Sequence, residues 1–102
     1  MEHLVIAYCE DYERRAHALT LATTDRETRD FYSHLNGVID TALDASLPKL
    51  DPTARVAMRR DIACRRGATY SQLYTLSPAT YKRYKRQAKY CIARDLGLLV
   101  GS

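Results

Sequence analysis

The sequence predicts an all-α fold of about five helices, and three observations support this prediction. Only four glycines and three prolines occur in 102 residues, so few positions interrupt a helix. Apolar residues recur at steps of three and four, as in Leu4, Tyr8 and Tyr12, which is the spacing of one helix face. Several short capping patterns, each beginning with a hydroxyl or carboxylate side chain, mark where helices begin.

The first half of the chain is predicted to form a pair of helices. The first covers about residues 2–22, and its inner face is Leu4, Tyr8, Tyr12, Ala16 and Leu19. The second begins at the capping box Thr24-Asp25-Arg26-Glu27 and ends before Pro48. Its predicted inner stripe is Phe31, Leu35, Val38, Ile39, Ala42 and Leu43. Gly37 lies inside it at a cost of about 1 kcal/mol against alanine, so a close helix contact is predicted there.

The second half is predicted to form three helices in the order long, very short, long. Asp51-Pro52 begins the first of them, which runs to Arg66 and stops at Gly67. The capping box Thr69-Tyr70-Ser71-Gln72 opens the short helix. Ser77-Pro78 begins the last one, which extends to about Leu96 and is closed by Gly97. A short helix followed after a tight turn by a basic helix is typical of the helix-turn-helix motif.

The charge of the chain is divided between its two halves. Residues 1–51 carry ten acidic and five basic residues, whereas residues 52–102 carry two acidic and eleven basic residues. The net charges are therefore −5 and +9. This division predicts two units: residues 1–48 as an acidic helical pair for dimerisation or partner contact, and residues 49–102 as a basic unit that faces a polyanion. In the alternative, the two halves pair with each other.

The most basic stretch is SPATYKRYKRQAKY, residues 77–90, with five cations, three tyrosines and no acidic residue. In a recognition helix the first two turns contact bases and the flanks contact phosphates. The residues predicted to enter the major groove are Pro78, Ala79, Thr80, Lys82, Arg83 and Arg86. Arg83 or Arg86 could bind a guanine bidentately. Lys85 and Lys89 are predicted to contact phosphates, and Tyr81 and Tyr84 to face the core.

A second basic cluster precedes the short helix and permits two interpretations. Arg59, Arg60, Arg65 and Arg66 could grip phosphates, or they could pair with the acidic N-terminal helices. The residue pattern alone does not separate these two alternatives.

The pattern Ser77-x-x-Thr80-Tyr81-x-Arg83-Tyr84-x-x-x-Ala88, followed by Gly97, resembles the C-terminal signature of the ArpU/RinA-type phage transcriptional regulators. The run from Leu50-Asp51-Pro52 to Arg60, with Gly67 and Ser71, is similar to the start of a sigma-factor region-4-like helix-turn-helix. The resemblance covers about residues 50–97. It implies a late-gene activator that binds a promoter with host RNA polymerase, and DNA contacts at Ser77, Thr80, Tyr81 and Arg83.

Other classes of protein are disfavoured by the sequence. No run of eighteen apolar residues is present, so no membrane span is predicted. His3, His17 and His34 lie at no metal-ligand spacing, and neither a glycine-rich phosphate loop nor a nucleophile elbow occurs. Three scattered cysteines indicate reduced thiols and a cytoplasmic protein. The resemblance to phage regulators implies that this cytoplasm is that of a bacterial host cell. We therefore expect no enzyme activity, no metal and no cofactor.

The sequence therefore predicts a transcription regulator of phage or prophage type that binds double-stranded DNA as a homodimer. The N-terminal helices are predicted to dimerise, or to contact the transcription machinery, through Leu4, Tyr8, Tyr12, Leu35 and Ile39. Two alternatives remain. One is a DNA-packaging protein like a phage terminase small subunit, which also carries a helix-turn-helix but forms rings. The other is a helical protein-interaction module whose basic helix docks an acidic partner and never binds DNA.

Overall fold

The computed structural model describes residues 2–64 and 76–98, and all regular structure within these ranges is helical. The helices are α1 (Glu2–Glu10), α2 (Tyr12–Ala18), α3 (Arg26–Ser46), α4 (Pro52–Ala63) and α5 (Pro78–Asp95). The prediction of an all-α fold is thus confirmed. Among these helices, none combines the length and the apolar character needed to cross a membrane. The predicted short helix from Thr69 lies outside the described residues.

The predicted first helix is divided at Asp11 and ends four residues earlier than expected. At the division between α1 and α2, Nη2 of the buried Arg15 guanidinium donates a hydrogen bond of 2.6 Å to the carbonyl oxygen of Tyr8. Its Nε donates to the side-chain oxygen of Asn36 on α3 at 2.7 Å. The buried Arg15 therefore donates to a backbone carbonyl at the point where α1 ends, and it links α2 to α3 through Asn36.

The capping residues are mostly those that the sequence predicts. The Asp51 carboxylate accepts the backbone N–H of Ala54 at 2.7 Å, and Ser77 Oγ accepts that of Thr80 at 3.2 Å. The cap of α3 is Asp25, one residue after the predicted Thr24, because the Thr24 hydroxyl donates instead to the carbonyl of Ala18 at 2.7 Å.

The ends of α4 and α5 differ in how well they were predicted. The α4 helix ends at Ala63 because Cys64 adopts extended backbone geometry, so the prediction that the helix continues through Cys64 is wrong. Its predicted end at Arg66 and Gly67 lies outside the described residues. Gly97, as predicted, closes α5 with a positive φ of 75°. The N–H of Leu98 then donates to the carbonyl of Ala93 at 2.8 Å, which is the bond of a Schellman motif.

One hydrophobic core joins residues from both halves of the chain. The α3 helix packs mainly against α5, α1 packs against α4, and α2 packs against α3. The buried members of the core are Val5, Cys9, Ile39, Ala42, Leu43, Leu47, Ala57, Met58, Ile62, Ala88, Ile92 and Ala93. The functional division into residues 1–48 and 49–102 stays a prediction, but the described parts of both ranges contribute to the same core.

Four predictions about surfaces are corrected by burial. Leu4, predicted on the inner face of the first helix, is 50% exposed, and the buried residues of α1 are Val5 and Cys9. Leu35 and Ile39 lie in the core of the chain itself, so neither can form a contact between two folded copies. Phe31 is 59% exposed, because α3 meets α2 through Tyr32 and Asn36 and not through Phe31. No close helix contact occurs at Gly37, since a Cβ atom built there would meet nothing within 4 Å.

Candidate nucleic-acid interface

The opening turn of α5 is exposed and is held by its capping residue. Ser77, Pro78 and Ala79 are exposed, and Pro78 stands at the first helical position, where no backbone N–H is required. Ser77 Oγ also lies 2.9 Å from Thr80 Oγ1, to which it donates. The hydroxyl hydrogen of the half-buried Thr80 therefore remains available to another acceptor, and the opening turn presents a rigid polar edge.

The outer side of α5 carries three exposed cations: Lys82, Arg83 and Arg86. Within residues 2–64 and 76–98, no carboxylate lies within ion-pair distance of any of them. The guanidinium of Arg83 lies 5.4 Å from the centre of the Tyr84 ring, which supports its position without neutralising it. This outer side therefore offers three positive charges to an anionic partner.

The inner side of α5 holds its cation against a buried acid. Lys85 Nζ lies 2.9 Å from Asp61 Oδ2 on α4, and the Asp61 side chain is fully buried. Lys85 Nζ also donates to the Tyr81 hydroxyl at 3.2 Å, and this hydroxyl in turn donates to Asp61 Oδ2. Asp61, Tyr81 and Lys85, which we term the inner cluster, thus connect α4 with α5.

The inner cluster changes the acidity of two of its members. Burial by itself lowers the pKa of Lys85, but hydrogen bonds to Asp61 and Tyr81 outweigh it and raise the pKa above its ordinary value. Burial, followed by the hydrogen bond to Asp61, raises the pKa of Tyr81. Both groups therefore keep their protons more firmly in the folded chain than in the unfolded chain.

The structure thus divides the predicted DNA-binding residues between two environments. The exposed residues are Ser77, Pro78, Ala79, Lys82, Arg83 and Arg86. The half-buried residues are Thr80, Tyr81, Lys85 and Lys89. The inward orientation of Tyr81 agrees with the prediction from periodicity. Lys85, assigned to phosphate contact from its position in the basic run, has its ammonium group directed to Asp61. The DNA contacts themselves stay predictions.

Asp61 is the residue of this region that sequence reasoning missed. In the sequence it is one of only two acidic residues in the basic half of the chain. A signal was present, because Asp61 follows Met58 by three residues and so lies on the inner face of α4, beside Ile62. A carboxylate on an apolar face requires a cation or a hydrogen-bond donor nearby.

The described arginines of the second basic cluster lie against the acidic N-terminal helices. Arg60 Nη2 forms an ion pair of 2.7 Å with Glu13, and the buried guanidinium of Arg59 stacks 3.6 Å from the centre of the Tyr12 ring. The Tyr12 hydroxyl donates to the Asp40 carboxylate at 2.9 Å. The alternative in which these arginines pair with the first half of the chain is therefore the one observed. Arg65 and Arg66 lie outside the described residues.

The described residues offer no cluster suited to a metal ion: no group of three or more histidine, cysteine, aspartate or glutamate side chains comes together. Cys9 is buried against α4, and its burial raises the pKa of its thiol to about 12. A thiol that holds its proton so firmly is a poor nucleophile at neutral pH.

Comparisons with known proteins add no family assignment to this geometry. No protein-family model, no curated protein and no solved structure matches the chain. The interpretation of α5 therefore rests on the positions and charges of its own residues.

Proposed function

We propose that this chain is a DNA-binding transcription regulator of phage or prophage type, and that α5 enters the major groove of double-stranded DNA. The observation that carries the proposal is the outer side of α5, where Lys82, Arg83 and Arg86 are exposed and lack a carboxylate among the described residues. Cations that are already desolvated and paired cannot release counterions from DNA, whereas exposed ones can.

The geometry of the opening turn adds to this proposal. Pro78 and Ala79 are small and exposed, so the backbone of the first turn can approach base edges closely. Arg83 and Arg86 follow on the same side, about one and two turns further along, where long side chains reach a guanine or a phosphate. The resemblance of Ser77-x-x-Thr80-Tyr81-x-Arg83 to the phage regulators points in the same direction and adds late-gene activation with host RNA polymerase to the proposal.

The inner cluster supports this role indirectly. A recognition helix must be held in a fixed rotation, because a rotated helix would present other side chains to the groove. Lys85 and Tyr81 fix that rotation through Asp61, and they leave the outer side free for a partner.

The proposal is tested by titrating a random-sequence duplex with the full chain across a salt series and recording fluorescence anisotropy. The variant Arg83→Ala/Arg86→Ala removes two cations from the outer side of α5. Because each neutralised phosphate contributes about 0.9 to the slope of log affinity against log salt, the slope should become shallower by about 2. Affinity at low salt should fall as well.

The matched control is Arg14→Ala/Arg26→Ala, which removes the same two charges from exposed positions outside α5. It should leave the salt slope unchanged. Equal losses in both variants would indicate a general effect of net charge and would contradict the groove assignment. Absence of wild-type binding at low salt would favour the alternative of a protein-interaction module.

A further inference from the structure

The surface next to the proposed DNA face contains a groove between the end of α3 and the middle of α5. Its floor is largely apolar, with Leu47, Pro48, Tyr84 and Cys91, and its charged lining residues are Lys49 and Arg83. Its volume is about 620 Å³. A cavity of about 150 Å³ already accommodates a benzene ring, so the groove has room for an aromatic side chain and its neighbours. Among the residues that the structure describes, no acidic side chain lines the groove.

The opposite end of α3 carries a surface with complementary properties. Phe31 is the most exposed of the large apolar side chains that the structure describes, at 59%. Glu27 and Asp30 lie on the same face of the helix, four residues and one residue before it, and both are exposed. We term Glu27, Asp30 and Phe31 the acidic stripe.

The charges around both surfaces favour a contact between them. The charged residues at this end of α3 are Asp25, Arg26, Glu27, Arg29 and Asp30, and their formal charges sum to −1. The guanidinium of Arg29 keeps its positive charge and donates to the backbone carbonyls of Leu19, Leu21 and Thr24. The groove carries two positive charges. An exposed aromatic ring flanked by two carboxylates therefore faces an apolar groove flanked by two cations.

The acidic stripe cannot reach the groove of its own chain. Both surfaces lie on the same straight element, α3, with Phe31 in its second turn and Ala45 at its end. At 1.5 Å per residue, these positions are separated by roughly 20 Å. Any contact between stripe and groove must therefore join two molecules.

We propose that the acidic stripe of one copy of this chain docks in the groove between α3 and α5 of a second copy. Phe31 packs on Leu47, Pro48 and Tyr84 of the second copy, while Glu27 and Asp30 pair with Lys49 and Arg83. Because the two surfaces differ, the contact is heterologous, and each chain keeps one free stripe and one free groove for further copies. This inference goes beyond the proposed function. Because both assign Arg83 to a partner, a docked second copy and DNA would compete for that side chain, and the test below is therefore made without DNA.

The test is the mass of the full chain at low salt without DNA, measured by light scattering or sedimentation equilibrium over a range of concentrations. The mass of the wild type should rise past that of a dimer as concentration increases. Phe31→Ala removes the ring of the stripe, and Lys49→Glu reverses one charge of the groove without altering α5. Each variant alone should lose the rise in mass.

A mixture of the two variants distinguishes this arrangement from others. The intact stripe of Lys49→Glu fits the intact groove of Phe31→Ala, so the mixture should form 1:1 pairs and stop at the mass of two chains. Leu4→Ala, which truncates another exposed apolar side chain, is the matched control and should assemble like the wild type.

Three results would overturn the proposal. The wild type could remain monomeric, its assembly could stop at a dimer, or the mixture of Phe31→Ala and Lys49→Glu could fail to pair while both variants keep the helical circular dichroism of the wild type.

Discussion

The two sides of α5 carry cations of the same kind in opposite environments. On the inner side, Lys85 lies 2.9 Å from the carboxylate of Asp61, which is fully buried. On the outer side, Lys82 and Arg83 are exposed and have no carboxylate nearby among the described residues. A cation beside a buried carboxylate stabilises the fold, whereas an exposed cation contributes little to stability and remains available to a partner. A run of positive charge can therefore serve two purposes within one helix.

The largest effect expected from this comparison is on stability. Lys85→Met removes the ammonium group and leaves the Asp61 carboxylate buried without its cation, so the free energy of unfolding should fall by about 3 kcal/mol. Lys82→Met makes the same chemical change on the outer side and should cost less than about 0.5 kcal/mol. Urea unfolding followed by circular dichroism measures both.

A double variant shows whether the loss comes from the unpaired acid. If Asp61→Leu is added to Lys85→Met, the inner cluster no longer contains a buried charge without its partner, and much of the lost stability should return. Equal effects of Lys85→Met and Lys82→Met would mean that the inner cluster does not distinguish the two sides of α5.

Helix positions were largely predictable from sequence because their causes are local. Asp51 and Ser77 cap helices through their own side chains, and Gly97 ends α5 through its own backbone, so short patterns identify them. The division of the first helix was not predictable in this way. It coincides with contacts of Arg15, whose guanidinium reaches a carbonyl seven residues earlier and an amide on α3.

The candidate site was predictable only in part, for the same reason. The basic run and the inward face of Tyr81 follow from residue type and helical period. That Lys85 binds Asp61 follows from the packing of α4 against α5, between residues 24 positions apart in the sequence. Likewise, Phe31 is exposed because α3 meets α2 through Tyr32 and Asn36, and periodicity does not specify which residues form that contact.

A smaller effect is expected when the hydroxyl of Tyr81 is removed. Tyr81→Phe deletes a hydrogen bond to the Asp61 carboxylate and should cost about 1.5 kcal/mol at neutral pH. Tyr90→Phe changes a tyrosine on the outer side that is 53% exposed, and it should change stability by less than about 0.5 kcal/mol. Comparable losses of stability in Tyr81→Phe and Tyr90→Phe would contradict the distinction between the inner and outer sides of α5.

Alkaline pH should also lower the stability that the inner cluster contributes. The folded chain raises the pKa of Tyr81 from 10.0 and that of Lys85 from 10.5, so the folded state holds these protons more firmly than the unfolded state. The contribution of these two groups to the free energy of unfolding is therefore fully present below about pH 10. It decreases as the pH rises through their pKa values in the folded state. Tyr12, with its pKa raised to about 12, adds to the same loss. Unfolding measured from pH 8 upward should accordingly show a shallower decline in Tyr81→Phe than in the wild type.

The smallest effects on stability are expected at two glycines in different surroundings. The backbone at Gly97 has a conformation that favours glycine, whereas Gly37 has open space where a side chain would begin. Gly97 has a φ of 75°, so Gly97→Ala should cost about 1 kcal/mol through backbone strain. Gly37 lies within α3 with nothing within 4 Å of an added Cβ, so Gly37→Ala should raise stability by up to about 1 kcal/mol. Thermal unfolding of both variants beside the wild type measures these changes. Their opposite signs are the decisive result, because a loss of stability in Gly37→Ala would require a neighbour at a position where the fold shows open space.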